Sequence, residues 1–122
     1  MASATVAFSL FPKAQTEFKP QLLTSSNVFL EDMYSSESTS PDTAISSGLF
    51  RLEKGEPLKY TYTYDEMKII LEGDFTIEDE TGQKVTAGPG DHFFFPKGSV
   101  ITFTTSNYGL AFYVGQRKKS AY

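Results

Sequence analysis

Apolar and polar residues alternate along much of this 122-residue chain, and the alternation predicts β-strands. The longest such stretch covers residues 60–73, YTYTYDEMKIILEG. Because successive side chains of a strand point to opposite faces, every second residue from Tyr60 onwards would share one face. That face would carry phenols, a carboxylate, an amine and one apolar residue: Tyr60, Tyr62, Tyr64, Glu66, Lys68 and Ile70. The pattern alone leaves open whether this face meets solvent or lines a pocket.

Shorter segments of the same kind predict further strands. They cover residues 27–33, 45–53, 74–80, 83–86, 92–95, 100–104 and 108–115, and residues 2–10 predict an edge strand or an arm. Turn residues recur about every 8 to 12 positions, as they do in β-sandwiches and barrels. No long segment keeps a helical period, so the sequence predicts no helix. The expected fold class is all-β, with a closed barrel as the arrangement that protects the strand edges.

The length fits one domain, and we expect residues 1–122 to fold as a unit. Four segments are predicted: N-terminal strands or an arm over 1–34, a Ser-rich loop over 35–44, the barrel core over 45–115 and a basic tail over 116–122. The loop has no apolar pattern and is long enough to act as a lid. The basic run Arg117, Lys118 and Lys119 in the tail is expected to be solvated.

Composition narrows the possible partners. The chain has no cysteine, which excludes disulfides, thiolate nucleophiles and cysteine metal sites and fits a reducing, cytoplasmic location. The net charge of −4 argues against nucleic acid as a partner, since phosphate binding relies on clustered lysines and arginines. The chain shows no basic leader and no run of about eighteen apolar residues, so we expect neither a signal peptide nor a membrane partner.

Two spaced motifs point to a family. Gly90, Pro96 and Gly98 match the pattern G-x5-P-x-G, and Glu66 and Gly73 match a glutamate and a glycine with six residues between them. In these motifs and the hairpin-like segment between them, the chain resembles the cupin family, whose members are small β-barrels of the double-stranded β-helix or jelly-roll type. More narrowly, YTYDEMKIILEG and AGPGDHFFFPKGS are similar to the EutQ-type (ethanolamine utilisation) small single-domain cupins. The resemblance implies that the face bearing Glu66 lines the barrel.

The chain departs from the metal-binding cupins at the residues that would hold the metal. In that family two histidines precede the glutamate and a third follows the later motif, and the corresponding positions here are Tyr60, Tyr62 and Ile101. Neutral phenols are poor ligands for divalent transition metals, which favour imidazole and carboxylate donors. We therefore expect no metal or other cofactor. The alternative is a weak divalent site that uses Glu66 and His92.

Four residues are candidates for acid–base chemistry. Burial in a barrel would raise the pKa of Glu66 toward a value useful for proton transfer, unless Lys68 neutralises the carboxylate. Lys68 is predicted to hold a carboxylate or carbonyl oxygen of a ligand, with an edge position and a solvated ammonium as the alternative. Tyr62 is a proton donor close to Glu66 in sequence. His92, the only histidine, is an acid–base candidate if it faces the pocket and a packed histidine if it does not.

Three further residues are candidates for substrate binding. Tyr60 and Tyr64 would orient a substrate through hydrogen bonds and stacking, and amphipathic packing is the alternative role of a tyrosine stripe. Arg51 precedes the first motif and is the third candidate, with simple exposure as its alternative. Asp91 is expected to brace its own turn.

Two classes of function fit these residues. The first is a metal-independent enzyme, a dehydratase, lyase or isomerase, in which Glu66, His92 or a tyrosine removes a proton beside a carbonyl of a small organic substrate. Lys68 or a phenol would stabilise the resulting oxyanion. The second is a non-catalytic module that binds small molecules or mediates assembly, and it would be favoured if Glu66 and Lys68 were fully paired with no cavity beside them. The EutQ resemblance adds a possible role in acetate or acyl metabolism, and the cupin resemblance implies a homodimer.

Overall fold

The structure, a computed structural model, describes residues 5–122, which form ten strands and one short helix. The helix is α1 (Ala14–Glu17). The strands are β1 (Leu22–Thr24), β2 (Val28–Ser35), β3 (Ser46–Glu53), β4 (Leu58–Thr61), β5 (Glu66–Gly73), β6 (Phe75–Glu78), β7 (Lys84–Ala87), β8 (His92–Phe95), β9 (Val100–Thr104) and β10 (Tyr108–Gly115). The predicted all-β class is confirmed, and β8, β9 and β10 have the predicted bounds.

The strands form two antiparallel sheets with the core between them. The six-stranded sheet has the order β1-β2-β3-β10-β5-β8, and the four-stranded sheet has the order β4-β9-β6-β7. Side chains from both sheets form one buried cluster, whose largest members are Tyr113, Phe50, Phe75 and Phe103. Strands β1 and β8 are therefore the edges of the six-stranded sheet, and β4 and β7 are the edges of the four-stranded sheet.

The single strand expected over residues 60–73 is in fact two strands in different sheets. β4 pairs with β9 in the four-stranded sheet, whereas β5 pairs with β10 and β8 in the six-stranded sheet. The crossing is fixed by the turn before β9, because the backbone N–H of Gly98 donates to the carbonyl of Tyr62 and the N–H of Lys97 donates to the carboxylate of Asp65. The alternation continues through the crossing, so the predicted inner face stays buried or half-buried throughout.

The N-terminal region differs most from expectation. The helix α1 was not predicted; it is one turn held by the carbonyl of Lys13, too short to show a helical period. β1 was also not predicted, because three exposed residues carry no alternation. Of the predicted arm or edge strand, residues 2–4 lie outside the described residues, and residues 5–10 are exposed and form no strand. No helix in the described chain is long and apolar enough to cross a membrane.

Two turn predictions agree with the structure. The Asp91 carboxylate accepts a hydrogen bond from the backbone N–H of Gly88 at 2.9 Å, so it braces its turn. The motif glycine Gly73 has φ +71°, and a Cβ at that position would collide with the carbonyl of Tyr108. Glycine is therefore required where β5 ends and the chain turns back toward β6.

Candidate functional site

The structure brings together five of the predicted site residues inside the barrel. Tyr60 lies on β4, Tyr62 and Tyr64 lie on the crossing segment, and Glu66 and Lys68 lie on β5. All five line a cavity of about 30 Å³. The remaining walls come from both sheets, from β1 and from the tail: Leu23, Leu30, Phe50, Leu58, Phe103 and Tyr122. We call these five residues and their cavity the barrel site.

Glu66 is the centre of the barrel site. Its Oε2 accepts a hydrogen bond from the Tyr62 hydroxyl at 2.5 Å and lies 3.3 Å from the Lys68 ammonium, and the side chains of Glu66 and Lys68 are each 3% exposed. Among the described residues, no hydrogen bond reaches the second oxygen, Oε1. Burial, together with the Glu66 charge, raises the pKa of Tyr62 well above its usual value. Tyr62 therefore stays protonated and donates to Glu66.

Lys68 is a buried cation surrounded mainly by aromatic rings. Its Nζ lies 4.3 Å from the ring centre of Phe50, 4.6 Å from that of Phe103 and 5.6 Å from that of Phe95. Ring faces attract a cation, but more weakly than the water or the oxygen acceptors that an ammonium normally has. Burial consequently lowers the pKa of Lys68, although the Glu66 carboxylate acts in the opposite direction. Lys68 therefore loses its proton more readily than a lysine exposed to solvent.

The other two tyrosines form a second hydrogen-bonded pair beside the first. The hydroxyls of Tyr60 and Tyr64 are 3.0 Å apart. Burial and the Glu66 charge raise the pKa of Tyr64 far above its usual value. Tyr64, like Tyr62, therefore keeps its proton and can donate a hydrogen bond close to the Glu66 carboxylate.

The cavity itself has room for about two water molecules. Leu23 and Tyr122 are the lining residues from β1 and the tail, and both retain solvent exposure, which places them at its mouth. An organic molecule would enter the barrel site only if this mouth widened. The Ser-rich loop contributes no residue to the lining.

His92 and Arg51 do not join the barrel site. His92 is exposed and pairs with Ile69, so it lies on the outer face of β8 while its neighbour Phe93 points inward. Arg51 is half-exposed on β3, where it contacts the Glu53 carboxylate at 3.0 Å and the ring of Tyr108 at 4.5 Å. The alternation could not decide the orientation of His92, because both faces of β8 carry phenylalanines.

A second buried ion pair was not predicted. Asp32 on β2 and Arg117 in the tail form a two-pronged contact, with Nη1 to Oδ2 at 2.7 Å and Nη2 to Oδ1 at 2.9 Å. Asp32 also accepts hydrogen bonds from the Tyr113 hydroxyl and the Ser120 backbone N–H, each at 2.7 Å. These bonds hold the pKa of Asp32 below its usual value although burial acts to raise it. The Arg117 Nε is buried without a partner among the described residues.

The expectation of a solvated tail is therefore wrong for Arg117, whereas Lys118 and Lys119 are exposed. A signal was present in the sequence. Arg117 continues the alternation of buried residues along β10, and Asp32 occupies the inner parity of β2. An acid and a base at inner positions of two strands indicate a pair, because buried charges are rare unless paired.

The barrel site does not fit the divalent metal that many cupins hold. The positions of the three histidines carry Tyr60, Tyr62 and Ile101; the Tyr62 hydroxyl already donates to Glu66, and Ile101 has no donor atom. The Lys68 ammonium beside Glu66 would repel a second cation at the same carboxylate. His92, the other residue of the alternative weak site, is on the outer face.

Comparisons with known proteins place the chain in a family. The model of the ethanolamine utilisation protein EutQ family matches residues 21–117. Acetate kinase EutQ from Clostridioides difficile is 32% identical over 87 residues, which are 71% of this chain and 52% of that protein. The chain thus spans about half the length of this curated relative.

Solved structures agree with this assignment. A crystal structure of ethanolamine utilization protein Q from Salmonella typhimurium is 29% identical, with a TM-score of 0.64 over 75% of this chain and 71% of that one. A cupin superfamily protein from Desulfitobacterium hafniense, 18% identical, has a TM-score of 0.64 over 88% of this chain and 90% of that one, which supports the fold alone. The fold is a small cupin β-barrel, and the chain belongs to the EutQ family.

Proposed function

We propose that the barrel site binds a small organic molecule bearing a carbonyl or carboxylate group and transfers a proton to and from it without a metal. The observation that carries the proposal is the state of Lys68, a fully buried ammonium with one carboxylate oxygen as its ionic partner and aromatic rings around the rest. An ammonium has three donors, and a single carboxylate partner leaves Lys68 able to donate to a ligand as well. A ligand oxygen would supply the missing acceptor.

The chemistry follows from which atoms remain free. Glu66 Oε2 is occupied by Tyr62 and Lys68, so Oε1 is the oxygen that can take a proton from a carbon beside the ligand carbonyl. The electron pair of that C–H bond moves to the carbonyl oxygen, where Lys68 and a tyrosine hydroxyl donate hydrogen bonds to the enolate. Return of the proton to another carbon would make an isomerase, and loss of a leaving group would make a lyase or dehydratase.

A non-catalytic binding or assembly module is the second candidate, and the size of the cavity favours it. Glu66 and Lys68 are paired with one another, and the space beside them is about 30 Å³. In this alternative the tyrosines and the ion pair bind a ligand, or they form part of a contact between subunits, and no proton is transferred. The two candidates differ in whether a carbon-bound proton exchanges.

The family supplies a third consideration. The relative from Clostridioides difficile is named an acetate kinase, and a carboxylate such as acetate is a ligand that Lys68 would recognise by charge. A role in acetate or acyl metabolism would then make the barrel a carboxylate-binding module. Phosphoryl transfer would require groups beyond the barrel site, since Lys68 is its only lysine or arginine.

Deuterium exchange tests the proton-transfer proposal directly. Pyruvate, acetaldehyde and dihydroxyacetone are incubated with the protein in D2O, and loss of the proton signal beside the carbonyl is followed by NMR. We expect the protein to accelerate exchange for at least one compound. Glu66→Gln, which keeps an acceptor for Tyr62 and removes the base, is expected to lower that rate by about 100-fold or more. His92→Ala is the control and keeps the rate.

Equal exchange by the protein and by Glu66→Gln would contradict the proposal. If none of the three compounds exchanges but acetate shifts the NMR signals of Lys68 and its neighbours saturably, the non-catalytic module is the better account. Lys68→Met removes that acetate response if the ammonium is the recognising group.

We also propose a cytoplasmic homodimer that forms through the N-terminal arm. Val6, Phe8 and Leu10 are 92%, 91% and 70% exposed at every second position of a segment that forms no helix or strand, and such exposed apolar side chains are suited to contact with another chain. Light scattering after size exclusion tests this: the protein should have twice the mass of the variant with Ser at all three positions. The same mass for both would contradict it.

A further inference from the structure

A second cavity opens between the edge strands β7 and β8, at the sheet ends opposite β1 and β4. Its volume is about 400 Å³, within the range of about 300 to 1,000 Å³ that small-ligand pockets have. No residue lines both this cavity, which we call the edge cleft, and the barrel cavity. The ring of Phe95, which borders the edge cleft, stacks at 5.2 Å on that of Tyr62, which borders the barrel cavity, so two stacked rings lie between the two spaces.

Aromatic and aliphatic side chains form the walls of the edge cleft. Phe93 and Phe95 point inward because they pair with Lys68 and Glu66 of β5, and their rings lie 5.6 Å apart with planes within 8° of parallel. Ile77, Val85 and Ile101 line the cleft from the four-stranded sheet.

Phe93 nevertheless remains half-exposed. An inward-facing ring without a cover gains free energy when a flat apolar group takes the place of water against it. The walls therefore favour a ligand with an aromatic ring.

The charged residues at the rim of the edge cleft are all acidic. Asp79 and Glu80 in the turn between β6 and β7 border it, and none of its lining residues is a lysine or an arginine. Asp79 accepts hydrogen bonds from the hydroxyl and N–H of Thr81 and from the N–H of Gln83, and these bonds, that of the hydroxyl first, lower its pKa. The Asp79 carboxylate is therefore ionised at neutral pH. Such a rim repels anions and attracts a cationic group.

We propose that the edge cleft is a binding site for a small aromatic amine in its cationic form. The ring lies against Phe93 and Phe95, and the ammonium lies at the rim beside Glu80 and Asp79. This site takes a cation, whereas Lys68 in the barrel site takes an oxygen acceptor or an anion. The edge cleft and the barrel cavity thus have opposite charge preferences.

Tryptamine and indole-3-propionate test the proposal because they share a ring and differ in charge. Each is titrated into the isotope-labelled protein, and backbone amide shifts are followed by NMR. We expect saturable shifts at β7, β8 and β9 with tryptamine, and an affinity for indole-3-propionate about tenfold lower at low ionic strength. The expected shifts include those of Val85, Phe93 and Ile101.

Two variants locate the site. Val85→Phe fills the cleft from an edge strand and should weaken tryptamine binding at least about tenfold, whereas the matched control Thr86→Phe, on the opposite face of the same strand, should leave it unchanged. Glu80→Lys changes the rim charge at an exposed position and should reverse the preference between the two ligands. Glu56→Lys makes the same charge change at an exposed turn outside the cleft and should not.

Three outcomes would overturn the proposal. The first is the absence of saturation by tryptamine up to millimolar concentration. The second is a set of shifts centred on the barrel site. The third is a concentration-dependent shift of the β7 and β8 amides without any ligand, lost when Val6, Phe8 and Leu10 are replaced by Ser, because the arm of a second copy would then occupy the cleft.

Discussion

Two buried ion pairs lie on neighbouring parts of the same barrel, and they are built in opposite ways. Asp32 accepts four hydrogen bonds, two of them from Arg117, one from Tyr113 and one from the Ser120 N–H. Glu66 holds Tyr62 and Lys68 on a single oxygen.

The ring of Tyr113 lies 6.0 Å from the Lys68 ammonium while its hydroxyl binds Asp32, so one residue borders both pairs. This difference in hydrogen bonding suggests different roles for the two carboxylates. A carboxylate whose oxygens are all bonded has nothing left to offer a ligand, and its bonds fasten the tail to β2. A carboxylate and an ammonium with free bonding capacity are costly for the fold and available to a ligand. We therefore propose that Asp32 and Arg117 stabilise the fold and that Glu66 and Lys68 serve binding or catalysis.

The largest effect is expected from breaking the pair of Asp32 and Arg117. Arg117→Met leaves the buried Asp32 carboxylate without its cation, and breaking a buried pair in this way costs about 3 to 5 kcal/mol. Urea unfolding followed by circular dichroism measures the loss. Lys118→Met, at the exposed neighbouring position, is the control. A loss no larger than that of the control would show that the tail pair does not stabilise the barrel.

A smaller effect is expected from displacing Tyr113 without changing any charge. A Cβ at Gly48 would collide with the Tyr113 hydroxyl and the Glu31 carbonyl. Gly48→Ala should therefore disturb the bond to Asp32 and destabilise the protein by about 1 to 3 kcal/mol. Ser47→Ala on the same strand is the control, and equal unfolding midpoints for the two variants would contradict the prediction.

The pH dependence of the free energy of unfolding should differ between the protein, in which Asp32 is a carboxylate, and the variant Asp32→Asn. The folded pKa of Asp32 lies below its ordinary value of 3.8, so the ionised group stabilises the protein above pH 3.8 and that contribution is lost as the pH falls through the folded pKa. The stability difference between the protein and Asp32→Asn should thus be largest near neutral pH and shrink below pH 3.8. Asp74 and Asp79, whose pKa values are also lowered, are present in both proteins and cancel. A difference that stays constant down to pH 2 would contradict the assignment.

The smallest effects are expected on the outer surface. The Arg51 and Glu53 side chains are 37% and 43% exposed, and such surface pairs contribute about 0 to 1 kcal/mol. Arg51→Gln and His92→Ala should each change the free energy of unfolding by less than about 0.5 kcal/mol and leave ligand binding in the barrel unchanged. A strong effect of His92→Ala on turnover would place chemistry on the outer face of β8.

Alternation predicted most of this architecture. It predicted the strand bounds from β8 onwards and placed Glu66 and Lys68 on one shared face, because a slip of one residue would move every side chain to the other face. That this face points into the barrel was implied by the resemblance to the cupin motifs. The alternation could not show that residues 60–73 change sheets, since the parity continues through the crossing. The motif glycines and the Pro96 turn were recognisable because their backbone geometry restricts the residue type.

The rest depends on contacts between distant segments. Arg117 reaches Asp32 across most of the chain, and a basic run near the end of a sequence usually indicates a solvated segment. The orientation of His92 depends on the pairing of β8 with β5, which no local pattern specified. The size of the barrel cavity depends on how Leu23 and Tyr122 close its mouth.

The most direct test replaces each ion pair by an uncharged pair of similar shape. Glu66→Gln with Lys68→Met keeps an acceptor for Tyr62, and neutralising such a pair is often neutral or stabilising by about 1 to 4 kcal/mol. Asp32→Asn with Arg117→Met removes an acceptor that Tyr113 or the Ser120 N–H needs, at a cost of about 1 to 3 kcal/mol. We predict that urea unfolding shows unchanged or higher stability for the first double variant and lower stability for the second. An equal or larger loss in the Glu66 and Lys68 variant would contradict the assignment of that pair to function.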